Sequence, residues 1–183
     1  MTDQTAQRVP VWDPLLRTLH WALVATVVAS WFTRHGFGRT HEWIGYAALA
    51  VVVVRGLWGF FGPRHARFRN FVPGPAATLS YAGASVKGRA PRYLGHNPLG
   101  GWATLMLLIL VFAVCASGWL YTTDRYWGVE WVENLHDGLT WVLIGFIVLH
   151  LVGVLWTSLK QRENLVTAMV HGRKRAPDSG DVD

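Results

Sequence analysis

The sequence predicts an all-α integral membrane fold, a bundle of four spanning helices, and three observations carry that prediction. Four long apolar runs interrupt a chain of only 183 residues. Charged residues make up 15% of it, against roughly 25% in soluble domains. Eleven tryptophans are present, an excess that suits a chain meeting the membrane–water boundary many times. A water-soluble fold of this length has too little interior to hide them.

Each run supplies the about 20 residues that a helix rising about 1.5 Å per residue needs to cross a hydrocarbon core. The expected spans are residues 14–32, 41–61, 98–121 and 135–159. Only helices and closed barrels satisfy their backbone in lipid, and unbroken apolar runs of this length read as helices. Asp13-Pro14 and Asn97-Pro98 each offer a capping side chain followed by proline at the first helical position. Thr40 and Asn134 are the candidate caps of the second and fourth spans. Residues 62–96 hold Pro63, Pro73, Pro75 and Pro91 and cannot form one continuous helix. A short stretch there, residues 76–86, is expected to lie along the membrane surface. Past Leu159 a polar helix is expected over residues 160–170. The domain reading is one transmembrane unit over residues 1–172 and a polar, disordered tail over 173–183.

The net charge of +6 and isoelectric point near 10.0 would raise nucleic-acid binding in a soluble protein. Here the charge sits between the spans and reads as topology, with no nucleic-acid partner. The middle connection carries Arg64, Arg67, Arg69, Lys87, Arg89 and Arg92 without an acidic residue, and the C-terminal segment adds Lys160, Arg162, Arg173, Lys174 and Arg175. The opposite side sets Arg34, Arg39 and Arg125 against Glu42, Asp124, Glu130, Glu133 and Asp137. Basic loops stay inside. Both termini are therefore expected in the cytoplasm. Residues 1–9 are too poor in apolar side chains for a signal peptide. Tyr126, Trp127 and Trp131 read as an aromatic belt at the other interface.

Several chemistries lack their residues. The single cysteine, Cys115, excludes an internal disulfide, a C-x-x-C-H haem attachment and a cysteine-rich metal site. The sequence has no phosphate-binding loop, no dinucleotide fingerprint, no G-x-S-x-G and no H-E-x-x-H.

Eight histidines are what remains. An ionisable group inside a span is costly and usually functional. His150 sits in the apolar run Phe146-Ile147-Val148-Leu149-His150-Leu151, and His136 precedes it by fourteen residues on the same span. Fourteen residues are nearly four turns, so both side chains share a face about 21 Å apart along the axis. One helix thus presents an imidazole near each membrane surface. Topology then selects partners by depth. His20, six residues into the first span, matches His150 at the inner level, and His41, opening the second span, matches His136 at the outer level. Two imidazoles bracketing a flat macrocycle at each level describe two haems b, bound without covalent attachment. The simpler readings are interfacial residues for His41 and His136, and a hydrogen-bonded core histidine for His150. Zinc suits the pattern less well, because a structural site wants four ligands around one point. His35 competes with His41; Gly45, one turn past His41, leaves room there for a flat ring. His65, His96 and His171 fall in cytoplasmic loop or tail and are expected to be solvated.

Arg55 follows His41 by fourteen residues and so shares its face near the inner haem, where a propionate is a fitting partner; the alternative is an arginine reaching for the interface. Arg17 carries the same two readings. Gly118, like Gly45, allows haem or a neighbouring helix to approach closely, and ordinary packing through small residues is the alternative.

The elements Val11-Trp12-Asp13-Pro14, Leu19-His20-Trp21, His41-Glu42-Trp43-Ile44-Gly45, Arg55, Tyr93-Leu94-Gly95-His96-Asn97-Pro98-Leu99-Gly100-Gly101 and Ser117-Gly118-Trp119 occur in this order, followed by His136 and His150. The chain thereby resembles the superfamily of bacterial cytochrome b561 and the cytochrome b subunit of Ni,Fe-hydrogenase, over residues 8–172. That resemblance implies a four-helix membrane cytochrome with two haems b ligated at His20, His41, His136 and His150. It further implies electron transfer between a membrane quinone and a periplasmic redox partner, a cytochrome c or an oxidoreductase such as a hydrogenase. Two other functions are compatible with the sequence: a haem-free membrane anchor holding a larger complex, and a superoxide:quinone oxidoreductase, which needs an accessible reactive site that the sequence does not display.

Overall fold

The computed structural model describes residues 7–35 and 38–182. Its four long helices are α1 (Pro14–Thr33), α2 (Gly38–Phe61), α5 (Pro98–Tyr121) and α6 (Glu130–Gln161), with the short helices α3 (Phe68–Phe71) and α4 (Pro75–Val86) in the middle connection and α7 (Leu165–His171) after α6. All four long helices have the length and composition to cross a membrane, so the expected helical membrane fold is borne out. Val28, Ile109 and Val148 are each about half exposed on these helices. Such apolar surface suits lipid and would make a soluble protein aggregate.

Two of the expected caps form. Asp13 Oδ1 accepts from the amide of Leu16 at 3.0 Å, and Asn97 Oδ1 accepts from that of Gly100 at 2.8 Å. The other two do not, because their helices begin earlier. Gly38, at φ +31°, opens α2 and places Thr40 inside the first turn. Gly128, at φ +73°, ends the preceding turn, so α6 starts at Glu130 and Asn134 is interior. Glu130 and Glu133 in that first turn oppose the helix dipole.

The residues group into two compact units. One comprises Thr18–Leu57 and Met106–Val148. Its core draws on all four long helices: Leu23 and Val27 of α1, Leu49 and Val52 of α2, Leu110 and Val111 of α5, and Leu143 and Phe146 of α6. Two ties add direction to this packing. The Tyr46 hydroxyl lies 3.0 Å from Thr122 Oγ1, and the Trp31 and Trp141 rings meet edge to face at 5.6 Å.

The other unit comprises Met1–Arg17, Trp58–Leu105 and Leu149–Asp183, with Val11, Trp12, Leu16 and Ala66 at its core. Here the expected disordered tail is instead paired. Strands β1 (Arg8–Pro10) and β2 (Arg173–Arg175) run antiparallel, the Val11 and Trp12 amides donate to the Gly172 carbonyl, and Val182 bonds with the backbone of Arg92 and Leu94. The polar composition misled because the partners are buried charges. Arg92, 8% exposed, holds Glu163 through two of its nitrogens at 2.9–3.2 Å and also bonds Asp181, which lies in that tail. A bidentate, enclosed pair of this kind is strong and directional. Lys174 donates to the Gly95 carbonyl at 3.3 Å and stands over the Trp12 ring. Burial pushes its ammonium down to about 8, with Glu163 opposing and Arg92 assisting the shift, so the group remains a cation at neutral pH and keeps that bond.

The polar helix expected over residues 160–170 is two elements. Arg162 takes φ +49°, which ends α6, and Asn164 restarts the chain by capping α7, its Oδ1 accepting from Thr167 at 2.9 Å. Gly172 closes α7 in the left-handed conformation, where its amide returns to the Ala168 carbonyl.

Candidate haem site

His41 of α2 and His136 of α6, expected to pair at the outer level, lie in the same unit with ring centroids 6.3 Å apart and planes at 88°. Each imidazole is fixed by a backbone carbonyl. His41 Nδ1 lies 3.1 Å from the Ser30 oxygen of α1, and His136 Nδ1 lies 3.0 Å from the Val114 oxygen of α5. A carbonyl only accepts, so each Nδ1 carries the proton. Nε2 is then the lone-pair nitrogen on both rings. That is the tautomer a metal ligand requires, and the carbonyl partner both orients the ring and raises its basicity.

The spacing passes a simple test. Two metal–nitrogen bonds of about 2 Å, plus about 1 Å from each nitrogen to its ring centre, separate axial imidazole centroids by roughly 6 Å. The observed separation is 6.3 Å. Among the described residues no group of three or more His, Cys, Asp or Glu side chains stands together.

A profile of the prokaryotic cytochrome b561 family matches residues 11–172. The chain belongs to that family. It is similar to a probable Ni/Fe-hydrogenase B-type cytochrome subunit of Cupriavidus necator, with 24% identity over 92% of this chain and 87% of that protein. A protein of the same description from Rhizobium leguminosarum bv. viciae is 24% identical over 77% of this chain and 70% of its own length. The chain is thus a multi-pass bacterial membrane protein, a b-type cytochrome acting in electron transfer.

Two features around the His41–His136 pair were less visible in the sequence. Ser117, buried in α5, sets its hydroxyl 3.1 Å from His136 Nδ1 while donating to the Val114 carbonyl at 2.9 Å. Only its position beside Gly118 in the third span hinted at this. Gly118 itself is the floor under His136: an added Cβ would stand 3.0 Å from the ring's Cε1 and 3.3 Å from Nδ1. Gly118→Ala is therefore expected to push the imidazole off its carbonyl by a few tenths of an ångström and to weaken haem retention about tenfold. Timed haem transfer to apomyoglobin would read this, while the helix itself gains from alanine. Gly45 differs, because a Cβ there meets open space.

His35 is exposed and accepts from Arg34 Nε at 3.1 Å. Its claim as the outer ligand has no support from this geometry. Of the inner candidates, His20 stands half-buried on α1 beside the Trp21 ring at 5.3 Å, and His150 is half-buried on α6. They fall in different units. Arg55 is 4% exposed, which excludes a side chain reaching out to an interface. Arg17 instead serves the end of α7, its Nη1 donating to the Val170 carbonyl at 2.6 Å. Its Nε is buried without a hydrogen-bond partner. His65 and His96, expected to be solvated, are half-buried around Trp12, whose ring centroid lies 6.4 and 4.8 Å from theirs, and Phe71 stacks on His96 at 4.5 Å.

Proposed function

We propose that this chain is a di-haem b cytochrome that relays single electrons between the membrane quinone pool and a periplasmic oxidoreductase of the hydrogenase type. The observation that carries the reading is the His41–His136 pair, with both Nδ1 atoms committed to carbonyls and both Nε2 atoms left for iron. The partner class follows from the two relatives, both described as probable hydrogenase cytochrome subunits. A cytochrome c is the other periplasmic partner that the same chemistry would serve.

Bound haem supplies a one-electron Fe(III)/Fe(II) couple. The protein's part is ligation and environment. His41 and His136 hold the outer group, and His20 and His150 the inner one. Arg55 is the cation for a propionate, and Gly45 and Gly118 leave space beside the outer ligands. The apolar surround lowers the local dielectric, and the carbonyl bonds to His41 and His136 strengthen their donation to the metal. Residues 1–172 act as one transmembrane cytochrome domain, with both termini in the cytoplasm as the loop charges imply.

A visible spectrum of the purified protein, oxidised and dithionite-reduced, tests this together with a pyridine haemochrome count. Two haems b per chain are expected. One haem would mean that a histidine pair is wrong, and a colourless protein would return the chain to the role of membrane anchor.

A further inference from the structure

Where α6 ends, a cavity of about 360 Å³ opens between α4, the segment after it, and the C-terminal strand. Its charged lining is Arg92, Lys160, Arg162 and Arg175 against Asp181 alone. Arg92 is already held by Glu163 and Asp181, which leaves Lys160, Arg162 and Arg175 to meet an incoming group. Among the described residues neither Lys160 nor Arg162 has a carboxylate partner, and Arg175 has only the exposed Asp178 at 3.8 Å. The Arg175 Nε is moreover buried with no acceptor. Three cations line one open cavity, and the buried Arg175 Nε among them is a donor that an incoming anion would satisfy.

One further feature argues that the arginine at 162 serves through its charge. Its φ of +49° is one that glycine adopts freely and arginine does not. Yet the fold sets a guanidinium at this turn. Lys160 is positioned as well, its Nζ 5.2 Å over the Trp156 ring and close to Gly88, itself at φ +71°.

The apolar side of the cavity names the ligand. Trp156, in the lining and 55% exposed, brings an apolar ring to it on the last turns of α6, a helix of membrane-spanning length. Cations at the foot of a greasy helix face suit a molecule with an anionic head and hydrocarbon tails. We propose that this cavity binds the phosphate of an anionic phospholipid, with its acyl chains leaving past the Trp156 ring. A phosphodiester whose head carries no cation fits, whereas the ammonium of a zwitterionic head would be repelled by the same three side chains. The Ser85 hydroxyl and Gln161 amide, also in the lining, suit the remaining oxygens of such a head.

Native mass spectrometry of the detergent-purified holoprotein, titrated with phosphatidylglycerol or phosphatidylcholine, tests the site. A single phosphatidylglycerol is expected to bind at least about tenfold more tightly than phosphatidylcholine, as charge-assisted hydrogen bonds imply. The double variant Arg162→Gly/Lys160→Gln should lose about tenfold in that affinity, while its reduced haem spectrum and lipid-free melting temperature stay as in the parent. The glycine even relieves the turn at 162. Equal binding of phosphatidylcholine, or an unaltered affinity in the double variant, overturns the proposal. Inorganic phosphate alone, at matched ionic strength, distinguishes the source: if it raises the melting temperature as much as the lipid does, the site serves a soluble phosphate and the lipid assignment fails.

Discussion

His136→Ala is expected to remove one of two haems and to leave the other, halving the reduced haem absorbance of the purified protein. His41→Ala should give the same spectrum, because a haem held by two axial imidazoles loses its site when either goes. The expectation follows from geometry particular to this pair. The two rings stand 6.3 Å apart on α2 and α6, and each is aimed by a carbonyl from a third or fourth helix, Ser30 of α1 or Val114 of α5. Removing one imidazole therefore empties a ligand position in an otherwise intact wall. Added imidazole fits the gap and should restore part of the missing band. Such rescue separates a lost ligand from a lost fold. His35→Ala serves as the control and should keep both haems, since that side chain is exposed and engaged by Arg34. Retention of two haems in both His41→Ala and His136→Ala would remove the outer pair from the proposal.

The span positions were legible in the sequence because lipid imposes a single strict demand on a segment, an apolar length near 20 residues. The third span was expected at residues 98–121 and is found at Pro98–Tyr121; the first was expected at 14–32 and is found at Pro14–Thr33. Proline after a capping side chain marked both starts. Where the mark was a lone Thr40 or Asn134, the true start was set by backbone at Gly38 and Gly128, whose positive φ values no side-chain pattern announces. The pairing of His41 with His136 by depth needed only helix rise and topology, and the two rings do lie together. What composition concealed was long-range. Asp181 looks like part of a charged tail until Arg92 is found beside it, and Glu163 looks like a solvated residue until the same guanidinium is seen to hold it. His96 reads as a loop histidine for the same reason, since Trp12 and Phe71, which enclose it, are distant in sequence.

Gly100 and Gly101 are indistinguishable as letters, and the structure separates them sharply. An added Cβ at Gly100 would meet the Asn97 side chain, its Oδ1 at 3.3 Å and Cγ at 3.7 Å, a tight contact with a cap that can yield slightly. At Gly101 the same atom would overlap the backbone carbonyl of Phe71 and stand 3.2 Å from that ring's Cδ2. Phe71 has little freedom to retreat. It is 5% exposed, stacks on His96, and meets the Phe68 ring at 5.7 Å. Its neighbour Val72 donates to the Phe68 carbonyl at 2.8 Å, and the Trp102 indole donates to the Pro73 carbonyl at 3.1 Å. Relief therefore requires a shift of the whole segment around α3, with overpacking of this kind costing about 3 kcal/mol. At 2–4 °C per kcal/mol for a chain of this size, Gly101→Ala is expected to lower the melting temperature by roughly 10 °C. Gly100→Ala should change it by no more than about 2 °C, because the gain in helix propensity offsets the contact with Asn97. Circular dichroism of the two purified holoproteins makes the comparison. Similar melting temperatures for both would mean that the chain around Phe71 does not press on α5 as described. A large loss at Gly101 alone identifies close backbone approach as the reason glycine stands there.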